Sequence, residues 1–227
     1  KKMIPKIIHQ IWIGTSEIPD REKKFIEKCK NLHPDWEYKF WGNEEIKQLF
    51  PKYEEIYLKL CNKTPADVAD YLRLVILYEY GGIYLDCDIE MNQSLNKLDL
   101  SKNFLISISA GCFTRFQNCF LASEKNNIFL KYLLNNESHK NISMWGPAFI
   151  TKKYKEFFHR DEIRDLINND PKDFYDQVFM MGNLIKKIEC KNDHDFLPIS
   201  YFFKGEIGKH HFLLSHVKEN KDKFKIK

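Results

Sequence analysis

The chain has 227 residues, with 36 Lys and Arg against 32 Asp and Glu and a formal net charge of +4. That length suits a single domain over 1–227 with a sizeable buried core, and a balance this mild does not ask for a nucleic-acid partner. The hydrophobic fraction is 43% and no run of roughly 18 apolar residues occurs, so nothing reads as a membrane span, although peripheral membrane association stays open.

The six cysteines lie scattered, without a C-x-x-C pair. They read as reduced, core-filling thiols, which points to the cytoplasm or the inner face of a membrane. Sequons beginning at Asn62, Asn92, Asn136 and Asn141 keep a secretory lumen open. Arginine is scarce beside lysine, so an arginine in an apolar setting carries information. The aromatic share of 15% suits core filling first and, as the second reading, stacking on a flat ligand or a sugar.

In chain order, "KIIHQIWIG" (6–14) is β-branched and aromatic and reads as a buried first strand. Residues 19–34 read as an exposed helix closed by Pro34. "WEYKFW" (36–41) alternates, with Trp36, Tyr38 and Phe40 on one face of a second strand. Residues 43–60 suggest short helices broken at Pro51. The strongest element is "TPADVADYLRLVILYEYGG" (64–82). Thr64 can cap, Pro65 suits the first turn, and Gly81 suits the stop. A helix apolar nearly all round is a buried helix.

"IYLDCD" (83–88) and "FLISIS" (104–109) read as further strands. Helices are expected at 126–135 and 147–158, and late strands at 184–190 and 210–216. Strands alternating with helices give an α/β sandwich.

On a strand, positions i and i+2 share a face, so Asp86 and Asp88 are expected side by side with Cys87 turned away. Two carboxylates on one face repel. A hard divalent cation, Mg2+ or Mn2+, relieves that and has positions left for phosphate oxygens. The other reading is a strand end entering a turn. Asp70 and Arg73, spaced i,i+3 on the buried helix, share a face. They form either a structural ion pair or a fork presented to a phosphate or a sugar hydroxyl.

Three blocks in this order, "IPKIIHQIWIG", "HPDWEYKFWGNEEI" and "ADYLRLVILYEYGGIYLDCDIE", resemble glycosyltransferase family 32. This is the DXD sugar-transferase family of fungal initiating mannosyltransferases, bacterial capsule and lipopolysaccharide transferases and, more distantly, clostridial glucosylating toxins. The resemblance is traceable through "NCFLASEKNNIFLKYLL", "WGPAFITK" and "FLPISYFF". It implies a GT-A fold, a Rossmann-like mixed sheet flanked by helices. It also implies a nucleotide-sugar donor, a UDP-hexose before GDP-mannose, and a hydroxyl acceptor on a glycan or polysaccharide.

Transfer would retain the anomeric configuration. Ile11 and Trp12 would lie near the nucleotide base. Asp70 and Arg73 would hold the donor sugar, and Asn118 would lie near it. Asp86 would meet the ribose and the sugar, and Asp88, beside Asp86, would ligate Mn2+ or Mg2+. The tail "HHFLLSH" departs from the family's His-His-Trp ending. His216, before His211, is its best match to a C-terminal metal ligand. A protein-modifying glucosyltransferase, a glycoside hydrolase and a non-catalytic sugar-binding module are the alternatives.

Overall fold

The computed structural model describes residues 3–49, 52–54, 63–108, 116–136, 146–158, 194–197 and 208–210, the last two segments as backbone. The described elements are β1 (Ile7–Ile11), α1 (Asp20–Leu32), β2 (Glu37–Trp41), a 3-10 turn (Glu45–Leu49), α2 (Pro65–Tyr80), β3 (Gly82–Leu85) and β4 (Ile89–Met91). A second 3-10 turn (Leu95–Lys97) leads to β5 (Phe104–Ile108), β6 (Phe116–Ser123), α3 (Ile128–Asn135), α4 (Pro147–Phe158), β7 (His194–Leu197) and β8 (Gly208–His210).

Six strands make a mixed sheet in the order β2-β1-β3-β6-β5-β7. β1 is parallel to both β2 and β3. β6 runs antiparallel between β3 and β5, and β7 is parallel to β5. β4 and β8 form a separate antiparallel ribbon, with Ile89 opposite His210.

The sheet is covered on both faces, as the strand-helix alternation predicts. Ile11, Trp41, Tyr84, Ile106 and Leu121 pack with α2, α3 and α4. Ile8, Ile83, Leu85, Leu105 and Phe120 pack on the other side with Cys29 and Trp36, where α1 lies against β4. Trp41, at 3% exposure, packs on the α2 side, so the burial of β2 is not confined to the Trp36–Tyr38–Phe40 face.

The sequence of α2 specifies its ends. Thr64 Oγ1 accepts from the Asp67 N–H at 3.2 Å, and Asp67 Oδ2 accepts from the Thr64 N–H at 3.3 Å, a complete capping box. Val68, Tyr71, Leu74, Val75, Ile76 and Leu77 are fully buried, each worth about 1.5–3 kcal/mol for the aliphatic side chains. Gly81 at φ 66° and Gly82 at φ 106° reverse the chain directly into β3. A Cβ on Gly82 would stand 2.5 Å from the Ile7 carbonyl oxygen, so the turn demands glycine there.

Beside this turn, His9 is fully buried. Trp41 Nε1–H can only donate, so His9 Nδ1 accepts it at 3.2 Å, and Nε2–H donates to the Gly81 carbonyl at 2.8 Å. Burial pushes the His9 pKa down to about 4. His33 makes a similar tie, donating through Nδ1 to the Cys29 carbonyl and accepting the Leu95 N–H at Nε2.

Several expectations shift. The first strand ends at Ile11 rather than Gly14, and of 43–60 the described helical parts are the turn at 45–49 and Glu54. β6 and β4 occupy stretches with no predicted strand. The expected strand at 184–190 lies outside the described residues, and of 210–216 only His210 is described, at the end of β8. Among the described residues no helix is long and apolar enough to cross a membrane.

Candidate functional site

β3 stops at Leu85, so Asp86 and Asp88 do not ride one strand face as the i,i+2 spacing predicts. Asp86 lies just past the strand, and Cys87 and Asp88 form a turn closed by the Ile89 N–H donating to the Asp86 carbonyl at 3.2 Å. The spacing rule fails because pairing with β6 ends: the last register pair is Leu85 with Phe120. Beyond it, the Asp86 N–H still donates to the Cys119 carbonyl at 2.9 Å, which fixes where the turn begins.

Arg73 is the centre of the site. It is 5% exposed and reaches from α2 toward the ends of β3 and β6. Its Nη2 pairs with Asp70 Oδ1 at 3.0 Å and its Nη1 with Asp86 Oδ1 at 3.2 Å. Nη1 also donates to the Asn118 carbonyl, and Nε donates to the Ala69 carbonyl one turn back on α2. Asn118 closes the circuit, its Nδ2 donating to Asp70 Oδ1 at 2.7 Å. Tyr84 completes it. The guanidinium stacks 4.4 Å from the Tyr84 ring centroid, and the Tyr84 hydroxyl donates to Asp86 Oδ1 at 2.6 Å.

The electrostatics follow from burial. Desolvation opposes the Arg73 charge, but the Asp86 and Asp70 carboxylates outweigh it and hold the guanidinium protonated. Burial pushes the Asp70 carboxyl above the usual carboxylate range, against the pull of Arg73, with the Asp86 charge adding to the rise. Desolvation likewise keeps Tyr84 a neutral phenol, able to donate. The two carboxylates are not sealed in. The side chains of Asp70 and Asp86 are 24% and 26% exposed, while Arg73 behind them is 6% exposed. The network therefore presents carboxylate edges outward on a buried cation.

Asp88 is buried, at 7% exposure. Ile11 and Trp12 lie at the far end of β1, tied to the acidic turn because the Cys87 thiol donates to the Ile11 carbonyl at 3.5 Å. Half-buried Trp12 is fixed by its N–H on the Trp41 carbonyl and its Nε1–H on the Ser16 carbonyl at 2.9 Å. Asn43 clamps the loop through both the N–H and the carbonyl of Gly14.

The structure thus brings Asp70, Arg73, Asp86 and Asn118 into direct contact and sets Asp88, Ile11 and Trp12 on the neighbouring turn and strand end. Tyr84 escaped the sequence reading. Its signal was its place two residues before Asp86 on the expected strand, the position from which a ring can reach an Asp86 oxygen.

Among the described residues no group of three His, Cys, Asp or Glu side chains forms a metal cluster. Asp86 and Asp88 are hard oxygen donors and suit Mg2+ or Mn2+ as part of a ligand set that a diphosphate and water would complete. His211 and His216 lie outside the described residues. β8 ends at His210, paired opposite Ile89, the residue after Asp88.

Residues 19–105 match the family model described as a glycosyltransferase sugar-binding region containing a DXD motif. An uncharacterized glycosyltransferase of Acanthamoeba polyphaga mimivirus is 32% identical over 176 residues, covering 74% of this chain and 68% of that one. Inositol phosphoceramide mannosyltransferase 3 of Schizosaccharomyces pombe is 41% identical over 97 residues, covering 42% of this chain and 27% of that one. A mannosyl phosphorylinositol ceramide synthase of Saccharomyces cerevisiae is 32% identical, with 69% of this chain and 44% of that one covered.

The chain therefore spans about half or less of these two fungal relatives. Among solved structures, PaToxG Glycosyltransferase superposes with a TM-score of 0.58 at 20% identity, over 80% of this chain and 78% of that one. This likeness supports the GT-A fold of the sheet described above.

Proposed function

The chain belongs to the glycosyltransferases whose sugar-binding region contains a DXD motif, and from that premise we propose that it is a metal-dependent hexosyltransferase moving a sugar from a nucleotide-diphosphate donor to an acceptor hydroxyl. The observation that carries this reading is the Arg73 network, a buried guanidinium with two part-exposed carboxylates and an amide at the ends of β3 and β6. Ligands of open α/β sheets bind at strand ends of this kind.

In this reading Asp70 and Asn118 hold donor-sugar hydroxyls, and Arg73 fixes Asp70 and Asp86 so that neither carboxylate swings on binding. Asp86 accepts from the ribose and the sugar. Trp12, immobilised by Ser16 and Trp41, offers a ring edge for the base with Ile11 beside it. Asp88, with Asp86, would hold Mn2+ or Mg2+, which supplies charge neutralisation for the leaving diphosphate. His216 is the candidate for a further ligand from the tail. Retention of configuration goes with this reading: among the described residues, Asp70 and Asp86 both sit on one guanidinium rather than across a bond. That placement also disfavours a glycoside hydrolase, whose two carboxyls flank the scissile bond.

The fungal relatives are named as an inositol phosphoceramide mannosyltransferase and a mannosyl phosphorylinositol ceramide synthase, which puts GDP-mannose beside a UDP-hexose as the first donors to test. The acceptor is proposed as a hydroxyl of a glycan or of another polyhydroxyl headgroup. The test is a panel of UDP- and GDP-sugars with Mn2+ in excess, reading release of the nucleoside diphosphate and the rise in melting temperature. At least one donor should raise the melting temperature only with the metal present and be turned over. No shift and no release from any donor would overturn the reading.

A further inference from the structure

The side chain of Asp86 is held from the α2 side of the sheet, by Arg73 and Tyr84. Its backbone is held from the other direction. Gln10, 1% exposed and next to the buried His9 in β1, donates from Nε2 to the Asp86 carbonyl at 3.4 Å. That carbonyl is the acceptor that closes the Cys87–Asp88 turn through Ile89. Gln10 is itself oriented, because its Oε1 accepts the Tyr38 hydroxyl at 2.6 Å. Tyr38 is on β2, paired opposite Ile8, and touches neither carboxylate.

A buried glutamine costs stability unless both ends of its amide are bonded. Here one end is spent on Tyr38 and the other on the acidic turn. A second tie, the Cys87 thiol on the Ile11 carbonyl at 3.5 Å, joins the same turn to the next residue of β1. The peptide of Asp86 can rotate only if Gln10 lets go, and rotation of that peptide is what would change the distance between Asp86 and Asp88.

We propose that Gln10, locked by Tyr38, is a positioning residue that holds the Asp86–Asp88 turn in the shape that accepts a metal-bound diphosphate. The inference rests on the reading of that turn as the diphosphate site. Gln10 and Tyr38 would contribute nothing to sugar chemistry directly. Their effect is confined to the metal-dependent part of nucleotide binding.

The experiment measures calorimetric affinity for UDP and for GDP, each with and without MnCl2, in the unmodified protein, Gln10→Leu, Tyr38→Phe, the double variant and Asp88→Asn. Melting temperatures are recorded alongside. The quantity read is the gain in affinity that Mn2+ brings. Gln10→Leu should cut that gain about threefold to tenfold, the effect of one buried hydrogen bond. Tyr38→Phe should cut it by a smaller factor, with a modest fall in melting temperature from the unbonded Gln10 Oε1. The double variant should be no worse than Gln10→Leu alone, because both act through one amide.

A purely structural glutamine would lower the melting temperature and leave the Mn2+ gain unchanged, which overturns the proposal. Multiplying effects in the double variant would also overturn it. Should Gln10→Leu fail to fold, Tyr38→Phe decides alone: an undiminished gain sinks the proposal. If Asp88→Asn keeps the full Mn2+ gain, the diphosphate reading of the turn has failed. If Asp88→Asn loses the gain while Gln10→Leu and Tyr38→Phe keep it, the positioning role alone has failed.

Discussion

Two buried polar clusters bracket β3, one at each end. At the start, His9 links the Trp41 indole to the Gly81 carbonyl, every ring nitrogen bonded and no charge present. At the finish, Arg73 gathers Asp70, Asp86, Asn118 and Tyr84. The first cluster is closed on itself and fully buried. The second carries net carboxylate character and leaves two acids about a quarter exposed, at 24% and 26%. That opening lowers the cost of desolvating the two acids and also leaves their outer edges within reach of a ligand. The difference is that one end of the strand is closed to solvent while the other keeps two carboxylate edges open, as the proposed ligand site requires.

The comparison breaks first at Gly82. Gly82→Ala places a Cβ 2.5 Å from a backbone oxygen at φ 106°, and both strain and clash should destabilise the fold by about 3–4 kcal/mol. Chemical denaturation reads this directly, and activity per folded molecule should stay intact.

The next effect is on pH. His9 takes a proton at 6.5 when unfolded and near 4 in the fold. Its contribution is therefore complete above pH 6.5 and is lost as the pH falls from 6.5 through 4, on the order of 3 kcal/mol in all. An NMR titration of the ring should show a midpoint near 4. A midpoint near 6.5 would mean the closed end is open to water.

The smallest stability effect is expected at the other end. Burial already disfavours the Asp70 charge, and the amide of Asp70→Asn can still accept from Arg73 and Asn118. Melting should stay within about 1 kcal/mol of the unmodified protein, with sugar transfer reduced about a hundredfold or more.

Much of this was legible in the sequence. α2 announced itself because its cap, its first-turn proline and its glycine stop are local signals, and Asp70 and Arg73 share a face through helical spacing alone. What stayed hidden depends on distant partners. Asp86 and Asp88 were expected on a strand because nothing local says that pairing with β6 ends at Leu85. β6 itself gave no alternating pattern, since Cys119, Phe120, Leu121 and Ala122 are all buried, which removes the period-two signal. The pairing of Gln10 with Tyr38 was hidden for the same reason: it needs the register of β1 on β2, which only the fold supplies.

The central claim is that the open end of β3 is a ligand site rather than a structural ion cluster, and Asp88→Asn tests it most directly. Turnover of the accepted nucleotide sugar and the melting temperature are measured on the same preparation. The account predicts a melting temperature within a few degrees of the unmodified protein, about 1 kcal/mol, with turnover and Mn2+-dependent nucleotide binding lost. A steep fall in melting temperature with turnover per folded molecule preserved would contradict it.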